Sequence, residues 1–188
     1  MEAMFIRIAF RRESEHLMNT ASTSTPGTRA VAGTNGAGVA TWSMGALFER
    51  LVSAGDTGGL LAASIVTQPP DTGSPLHVHT REAEAWYLLE GTMTYVAGNE
   101  TFKLSPGDFI YLPQGVPHAF RTTGATPVRF LGLALPGAVL DLYDEVGEPA
   151  TERRLPDGGV SPGDVARWME IAPRYGLRVV GPPIGAGA

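Results

Sequence analysis

From Val39 onward, short runs of β-branched and aromatic residues alternate with turn-forming residues. Eight such runs are separated by stretches rich in Gly, Pro, Asn and Asp, namely ALFERLVSA, LLAASIVT, AWYLLE, MTYV, TFKL, FIYL, HAFRTT and VRFLGLAL. No helical periodicity interrupts them. Short strands at this spacing favour an antiparallel sandwich or barrel. We therefore predict an all-β domain over residues 39–136.

The pattern changes on both sides of this domain. Residues 1–38 end in a small, polar, Gly/Thr-rich stretch, which predicts a flexible N-terminal arm in which Met18 is an alternative start to Met1. Residues 137–180 are predicted to add two short helices, and residues 181–188 a tail. Apolar residues recur at helical spacing at Val139, Leu142, Tyr143 and Val146. A second helix is predicted to begin at Pro162, with Ser161 as its N-terminal cap. Its apolar face is predicted to consist of Val165, Trp168, Met169 and Ile171.

Composition narrows the range of partners. The net charge is −5 and basic residues are adjacent only at Arg11-Arg12 and Arg153-Arg154, so we expect no nucleic-acid partner. No apolar segment resembles a signal-peptide core or is long enough to cross a bilayer, so we expect a cytoplasmic protein without a membrane partner. Because the chain has no cysteine, any metal must be bound by His, carboxylate or carbonyl groups.

Two of the four histidines lie in the stretch GSPLHVHTREAE. Residues two apart on a strand share a face, so His77 and His79 are predicted to point the same way. Glu84 can reach back across the connecting turn, and His118 follows a Gly/Pro-rich turn on a later strand. An isolated H-x-H pair is more often incidental than metal-binding. Three imidazoles and one carboxylate converging from neighbouring strands, however, would bind a divalent transition metal and leave positions open.

These residues lie in two motifs that together resemble those of the cupin superfamily. HVHTREAEAWYLLEG matches the first motif, in which H-x-H is followed by four residues, Glu, six residues and Gly. GDFIYLPQGVPHAF matches the second, in which Gly is followed by five residues, P-x-G, two residues and His. The resemblance implies a double-stranded β-helix, or jelly-roll barrel, with metal ligands at His77, His79, Glu84 and His118. The spacing favours Glu84 over Glu82 as the carboxylate ligand.

The resemblance also suggests which residues surround the metal. Glu82 is expected at the rim or behind the ligands, and Thr122 stands where the second motif often has Asn. Trp86 and Leu88 share the strand parity of Glu84, and Phe120 shares that of His118, so all three are candidates for the substrate pocket. Each of them is at least as well explained as ordinary barrel core. The ligand set does not select among Ni, Mn, Co, Fe, Cu and Zn.

A wider part of the chain resembles single-domain bacterial cupins of the quercetin 2,3-dioxygenase-like group. The segments that carry this similarity are FERLVSAGDTGGLLAASIVTQPPDTGSPLHVH, GVPHAFR and APRYGLRVVGPP. It implies dioxygen-dependent cleavage of a flavonol or another enolisable aromatic compound, with Glu84 as both ligand and base. A non-oxidative isomerase, cyclase or lyase, and a ligand-binding cupin without turnover, remain alternatives. We also expect a homodimer, because free sheet edges favour association.

Overall fold

The fold is described by a computed structural model that covers residues 27, 29–34 and 36–185. Most of the predicted arm, including both Met1 and Met18, lies outside the described residues, and so do residues 186–188 of the predicted tail. Within the described ranges, no helix has the length and apolar character needed to cross a membrane.

Two antiparallel sheets face each other and form the barrel. The seven strands of the larger sheet are, in spatial order, β11 (Glu148–Pro149), β1 (Ala40–Ser43), β2 (Ala46–Val52), β3 (Ala62–Gln68), β10 (Val128–Leu135), β5 (Ala83–Glu90) and β8 (Phe109–Leu112). The five strands of the smaller sheet are β12 (Leu177–Pro183), β4 (Pro75–His79), β9 (His118–Thr123), β6 (Thr92–Ala97) and β7 (Glu100–Leu104). The predicted all-β jelly roll is confirmed.

Alternation of side chains builds the core between the sheets. Along β10, Val128, Phe130, Gly132 and Ala134 are buried and their neighbours are more exposed. The central cluster is made of Ala46, Phe48, Val66, Leu88, Met93, Tyr95, Leu104, Ile110, Leu112, Phe120, Val128 and Phe130. The tight β5–β6 connection depends on Gly91, whose φ is +77° and whose added Cβ would lie 2.8 Å from a Val128 methyl carbon.

Two short C-terminal helices follow β10 and pack against the barrel, as predicted. α1 spans Leu140–Val146, and α2 spans Pro162–Ile171. Ser161 caps α2, because its hydroxyl accepts a hydrogen bond from the Asp164 amide while the Asp164 carboxylate accepts one from the Ser161 amide. Short 3-10 turns lie at Gly55–Thr57, Gly137–Val139 and Ala172–Tyr175.

Two details of the C-terminal region differ from expectation. The predicted tail begins at residue 181, but β12 continues to Pro183 and pairs with β4. The predicted single apolar face of α2 is divided, since Trp168 and Ile171 are buried while Val165 and Met169 are exposed. The buried pair belongs to a second core cluster beneath the helices, together with Ala62, Ala134, Val139, Leu140, Leu142, Ala172 and Leu177.

Candidate metal centre

Four side chains from three strands converge inside the barrel. His77 and His79 lie on β4, Glu84 begins the apolar run of β5, and His118 is the first residue of β9, where it pairs with His77. All four are buried, and one potential ligand atom from each lies within 4.8 Å of the others. The Nε2 atoms of His79 and His118 are each 3.4 Å from Oε2 of Glu84. The structure thus brings together the four residues predicted as ligands.

Backbone carbonyls orient two of the imidazole rings. Nδ1 of His77 lies 2.8 Å from the Pro75 carbonyl oxygen, and Nδ1 of His118 lies 2.9 Å from that of Val116. A carbonyl can only accept, so each Nδ1 carries the proton and donates it. This tautomer leaves Nε2 of both rings with a free lone pair, which is the form that binds a metal.

The third imidazole has a carboxylate behind it. Nδ1 of His79 is 3.6 Å from Oε1 of Glu82, which is itself buried. A carboxylate on the far nitrogen fixes ring orientation and makes the ligand more basic. The structure therefore places Glu82 beside a candidate ligand and leaves Glu84 at the centre of the cluster.

Unpaired polar atoms in the cluster test whether a metal fits. Nε2 of His79, Nε2 of His118 and Oε1 of Glu82 are buried and have no hydrogen-bond partner among the described residues. Burying such atoms unpaired costs about 1–3 kcal/mol each, so folding alone does not explain their convergence. Three imidazole nitrogens and a carboxylate form a ligand set suited to divalent transition metals. The residues present fit a metal ion.

The charges of the cluster favour a positive group beside Glu84. Burial and the nearby His118 lower the pKa of His77 to about 4, so its imidazole is neutral near pH 7. Burial alone would raise the pKa of Glu84, but the neighbouring His79 and His118 outweigh it and lower that pKa to about 2. Burial would likewise lower the pKa of His79, but Glu84 and Glu82 outweigh it and raise that pKa. An ionised carboxylate thus stands among the imidazoles and attracts a cation.

A cavity with mainly apolar walls opens beside the cluster. About 60 Å³ of this cavity is open to water-sized groups. The whole recess, including its mouth, has a volume of about 550 Å³. The lining residues are Phe48, Val66, Gln68, Ser74, His77, Glu84, Trp86, Phe120, Phe130, Gly132, Leu133, Leu140, Tyr143 and Trp168. Two of the candidate ligands therefore face a space in which a small molecule can bind.

The candidate pocket residues have different positions around this cavity. Trp86 and Phe120 line it, and the Trp86 ring stacks on Phe130 with their centroids 3.9 Å apart. Leu88 is not among the lining residues, because it is buried deeper in the central core. Strand parity predicts that a side chain points inward, but it does not predict the depth at which the side chain lies.

Thr122 lies away from the four candidate ligands. Its hydroxyl accepts a hydrogen bond from the Thr72 amide at 2.9 Å and lies 2.9 Å from the Pro69 carbonyl oxygen. Thr122 therefore stabilises the loop that precedes β4 rather than an imidazole.

Several aromatic residues of the cavity wall are not recognisable as site residues from the sequence. Phe48 and Phe130 were predicted only as strand residues, and Tyr143 and Trp168 only as apolar positions of helices. The sequence signal for Tyr143 and Trp168 was amphipathic periodicity, which predicts that a residue faces the core. It does not predict that this part of the core adjoins the candidate ligands.

Comparisons with known proteins agree with the geometry. Residues 64–134 match the model of the Cupin_2 family, described as a cupin domain. The chain is 27% identical over 116 residues to quercetin 2,3-dioxygenase of Bacillus subtilis, which covers 62% of this chain and 34% of that protein. It is 38% identical over 63 residues to the dimethylsulfoniopropionate lyase DddQ of Ruegeria pomeroyi, which covers 33% of this chain and 31% of the lyase. The chain thus spans about a third of the length of these two curated relatives.

A solved structure supports the fold independently. The crystal structure of a predicted oxalate decarboxylase from Thermotoga maritima superposes with a TM-score of 0.51 at 20% identity, covering 57% of this chain and 99% of that one. At this identity the similarity applies to the fold alone.

Proposed function

We propose that this chain is a metal-dependent enzyme that opens the ring of an enolisable aromatic compound with dioxygen, because residues 64–134 match the model of a cupin domain and the chain is similar to a quercetin 2,3-dioxygenase. The observation that carries the proposal is the position of Glu84. Its ionised carboxylate lies 3.4 Å from two imidazole nitrogens and lines a cavity whose other walls are largely aromatic. The proposed base, the candidate metal ligands and a cavity that can hold a flat ring are therefore adjacent.

The four buried residues would bind the metal. His77, His79 and His118 would each provide an imidazole nitrogen, and Glu84 would provide a carboxylate oxygen. Any of Ni, Mn, Co, Fe, Cu or Zn is compatible with this set. A divalent ion bound there would lower the pKa of a coordinated hydroxyl group and polarise the bond to be broken.

In this proposal Glu84 accepts the substrate's hydroxyl proton at a carboxylate oxygen. A pKa near 2 keeps the group ionised and able to accept a proton at neutral pH, although it makes the free carboxylate a weak base. The surrounding apolar side chains exclude water, which strengthens the interaction between the carboxylate and the proton it receives.

The aromatic walls would orient the substrate. Trp86 stacks on Phe130, and Phe120 lies with its ring centroid 5.2 Å from that of Trp86. A planar aromatic ring packs favourably against such faces and edges. Glu84 and His77 are the two candidate metal ligands that line the cavity, and Glu84 is charged. The polar end of the substrate would therefore point toward them.

Oxygen consumption tests the proposal directly. We expect protein reloaded separately with Ni, Mn, Co or Fe to consume oxygen and release carbon monoxide with quercetin for at least one metal. Protein stripped with a chelator is the matched control and should do neither. If no metal supports oxygen consumption with quercetin or other enolisable aromatics, the dioxygenase proposal is wrong.

A lyase is the second candidate, because the chain is 38% identical over 63 residues to the Ruegeria enzyme. Proton removal by Glu84 does not itself require oxygen. The same assays under argon separate the two functions, since a lyase, isomerase or cyclase would keep its rate while ring cleavage would stop. Elemental analysis of the purified protein, done beforehand, would identify the metal to load first.

A further inference from the structure

The cavity beside Glu84 is partly walled by a helix outside the matched cupin domain. The family model covers residues 64–134, whereas Tyr143 on α1 also lines the cavity. Its ring stacks on Phe48 with centroids 4.3 Å apart and an angle of 18° between the planes. Tyr143 is the tyrosine among the lining residues, so it places a phenol group in the same space as the Glu84 carboxylate.

The Tyr143 hydroxyl is available as a donor. Within the described part of the chain, no hydrogen bond ties it to another residue, in contrast to Tyr175, whose hydroxyl donates to Glu145 at 2.7 Å. Burial and the charges of Glu84 and Glu82 raise the pKa of Tyr143, so the phenol keeps its proton. A neutral phenol beside a carboxylate base can donate a hydrogen bond to a substrate oxygen.

The barrel holds this helix in place on both sides of Tyr143. The Arg50 guanidinium donates to the Asp141 carboxylate at 3.0 Å, to the Asp144 carboxylate at 2.7 Å and to the Leu140 carbonyl at 2.9 Å. The Thr41 hydroxyl donates to the Asp144 carboxylate at 2.7 Å. Because β1 and β2 both fix α1, the Tyr143 hydroxyl is positioned before a substrate arrives.

We infer that Tyr143 orients the substrate by donating a hydrogen bond to a ring carbonyl oxygen, while Glu84 faces the neighbouring hydroxyl group. The inference rests on the proposed function and adds to it a positioning residue on the carbonyl side of the substrate. Tyr143 and its helix lie outside the matched domain, so this contact belongs to the C-terminal extension of this chain.

Ligand binding under argon tests the assignment without turnover. Metal-loaded wild type and Tyr143→Phe are titrated with quercetin, which has the hydroxyl–carbonyl pair, and with catechin, which has the hydroxyl group without the ring carbonyl. We expect Tyr143→Phe to raise the Kd for quercetin about 3- to 10-fold, as expected for one lost hydrogen bond, and to change the Kd for catechin less than 2-fold. Metal content should be unchanged.

A matched substitution controls for loss of a phenol elsewhere. Tyr111→Phe removes an exposed hydroxyl on the outer face of β8 and should leave both dissociation constants unchanged. Equal quercetin affinity in wild type and Tyr143→Phe would overturn the role of Tyr143 and leave ring cleavage standing. Equal weakening of both ligands would also overturn it, because it would indicate a change in cavity shape. Wild type that does not bind quercetin would overturn both the carbonyl assignment and the proposed flavonol substrate.

Discussion

Two glutamates, Glu82 and Glu84, lie two residues apart in the chain and on different sides of His79. Glu84 is 3.4 Å from Nε2 of His79, inside the cluster, whereas Glu82 is 3.6 Å from Nδ1 of the same ring. The two carboxylates therefore have different chemical roles. One is placed to bind a metal and to accept a substrate proton, and the other to hold the ring.

This difference predicts unequal effects of two isosteric substitutions. Glu84→Gln should lower turnover at least 100-fold, since a positioned general base contributes about 10²–10⁴ in rate, while three imidazoles still bind some metal. Glu82→Gln should change turnover only a few-fold, because the amide has the size of the carboxylate and keeps an oxygen beside Nδ1 of His79. Oxygen uptake and metal content, measured on the same preparations, check both. Equal, near-wild-type rates would remove Glu84 from the role of base.

At the residue scale, the sequence predicted the ligand cluster better than its surroundings. The resemblance of the two motifs to those of cupins selects the four residues, and strand parity explains why His77 and His79 share a face. Trp86 and Leu88 share the parity of Glu84, yet only Trp86 lines the cavity. Tyr143 could not be found in this way, since its position depends on how α1 packs on the barrel.

Among the elements, α1 contributes Leu140 and Tyr143 to the cavity wall and is bound to the barrel through Arg50. Arg50 makes three hydrogen bonds to it and is 12% exposed, whereas its partners Asp141 and Asp144 are 47% and 39% exposed. Because both carboxylates are partly exposed, solvent weakens their ion pairs with Arg50. Most of the expected stabilisation therefore comes from the three contacts acting together.

We therefore expect Arg50→Met to lower the free energy of unfolding by about 1–2 kcal/mol. Arg129→Met is the matched control, because among the described residues Arg129 pairs with Glu90 alone, which is 61% exposed, and its loss should cost less than about 0.5 kcal/mol. Urea unfolding followed by circular dichroism measures both. Equal costs would mean that Arg50 does not fix α1 more firmly than an ordinary surface pair.

Element prediction from the sequence succeeded where the local signals were strong. Eight strands follow from β-branched and aromatic runs, and the start of α2 follows from Ser161 and Pro162. β12 was partly assigned to the tail, because Gly181 and Pro183 are poor strand residues and its pairing with β4 is irregular there. Tertiary packing, rather than local sequence, determines that this segment completes the smaller sheet.

At the scale of the whole molecule, one edge of the larger sheet carries an exposed apolar patch. The β5–β8 patch consists of Tyr87 and Leu89 on β5 and Phe109 and Tyr111 on β8, with Tyr87 directly opposite Phe109. Phe109 and Tyr111 are each 57% exposed, and β8 ends the seven-stranded sheet among the described residues. A free edge beside clustered aromatic side chains is typical of an association surface.

We accordingly expect the protein to be a homodimer that buries the β5–β8 patch. Light scattering at working concentration should give twice the protomer mass of 19.8 kDa. Tyr111→Lys should give monomers, because a charge at the centre of a two-fold interface would lie near its own copy. Met169→Lys tests an exposed apolar position outside the patch, on α2, and should remain dimeric. A monomeric wild type would contradict the prediction, and a dimer broken only by Met169→Lys would place the interface on the helices instead.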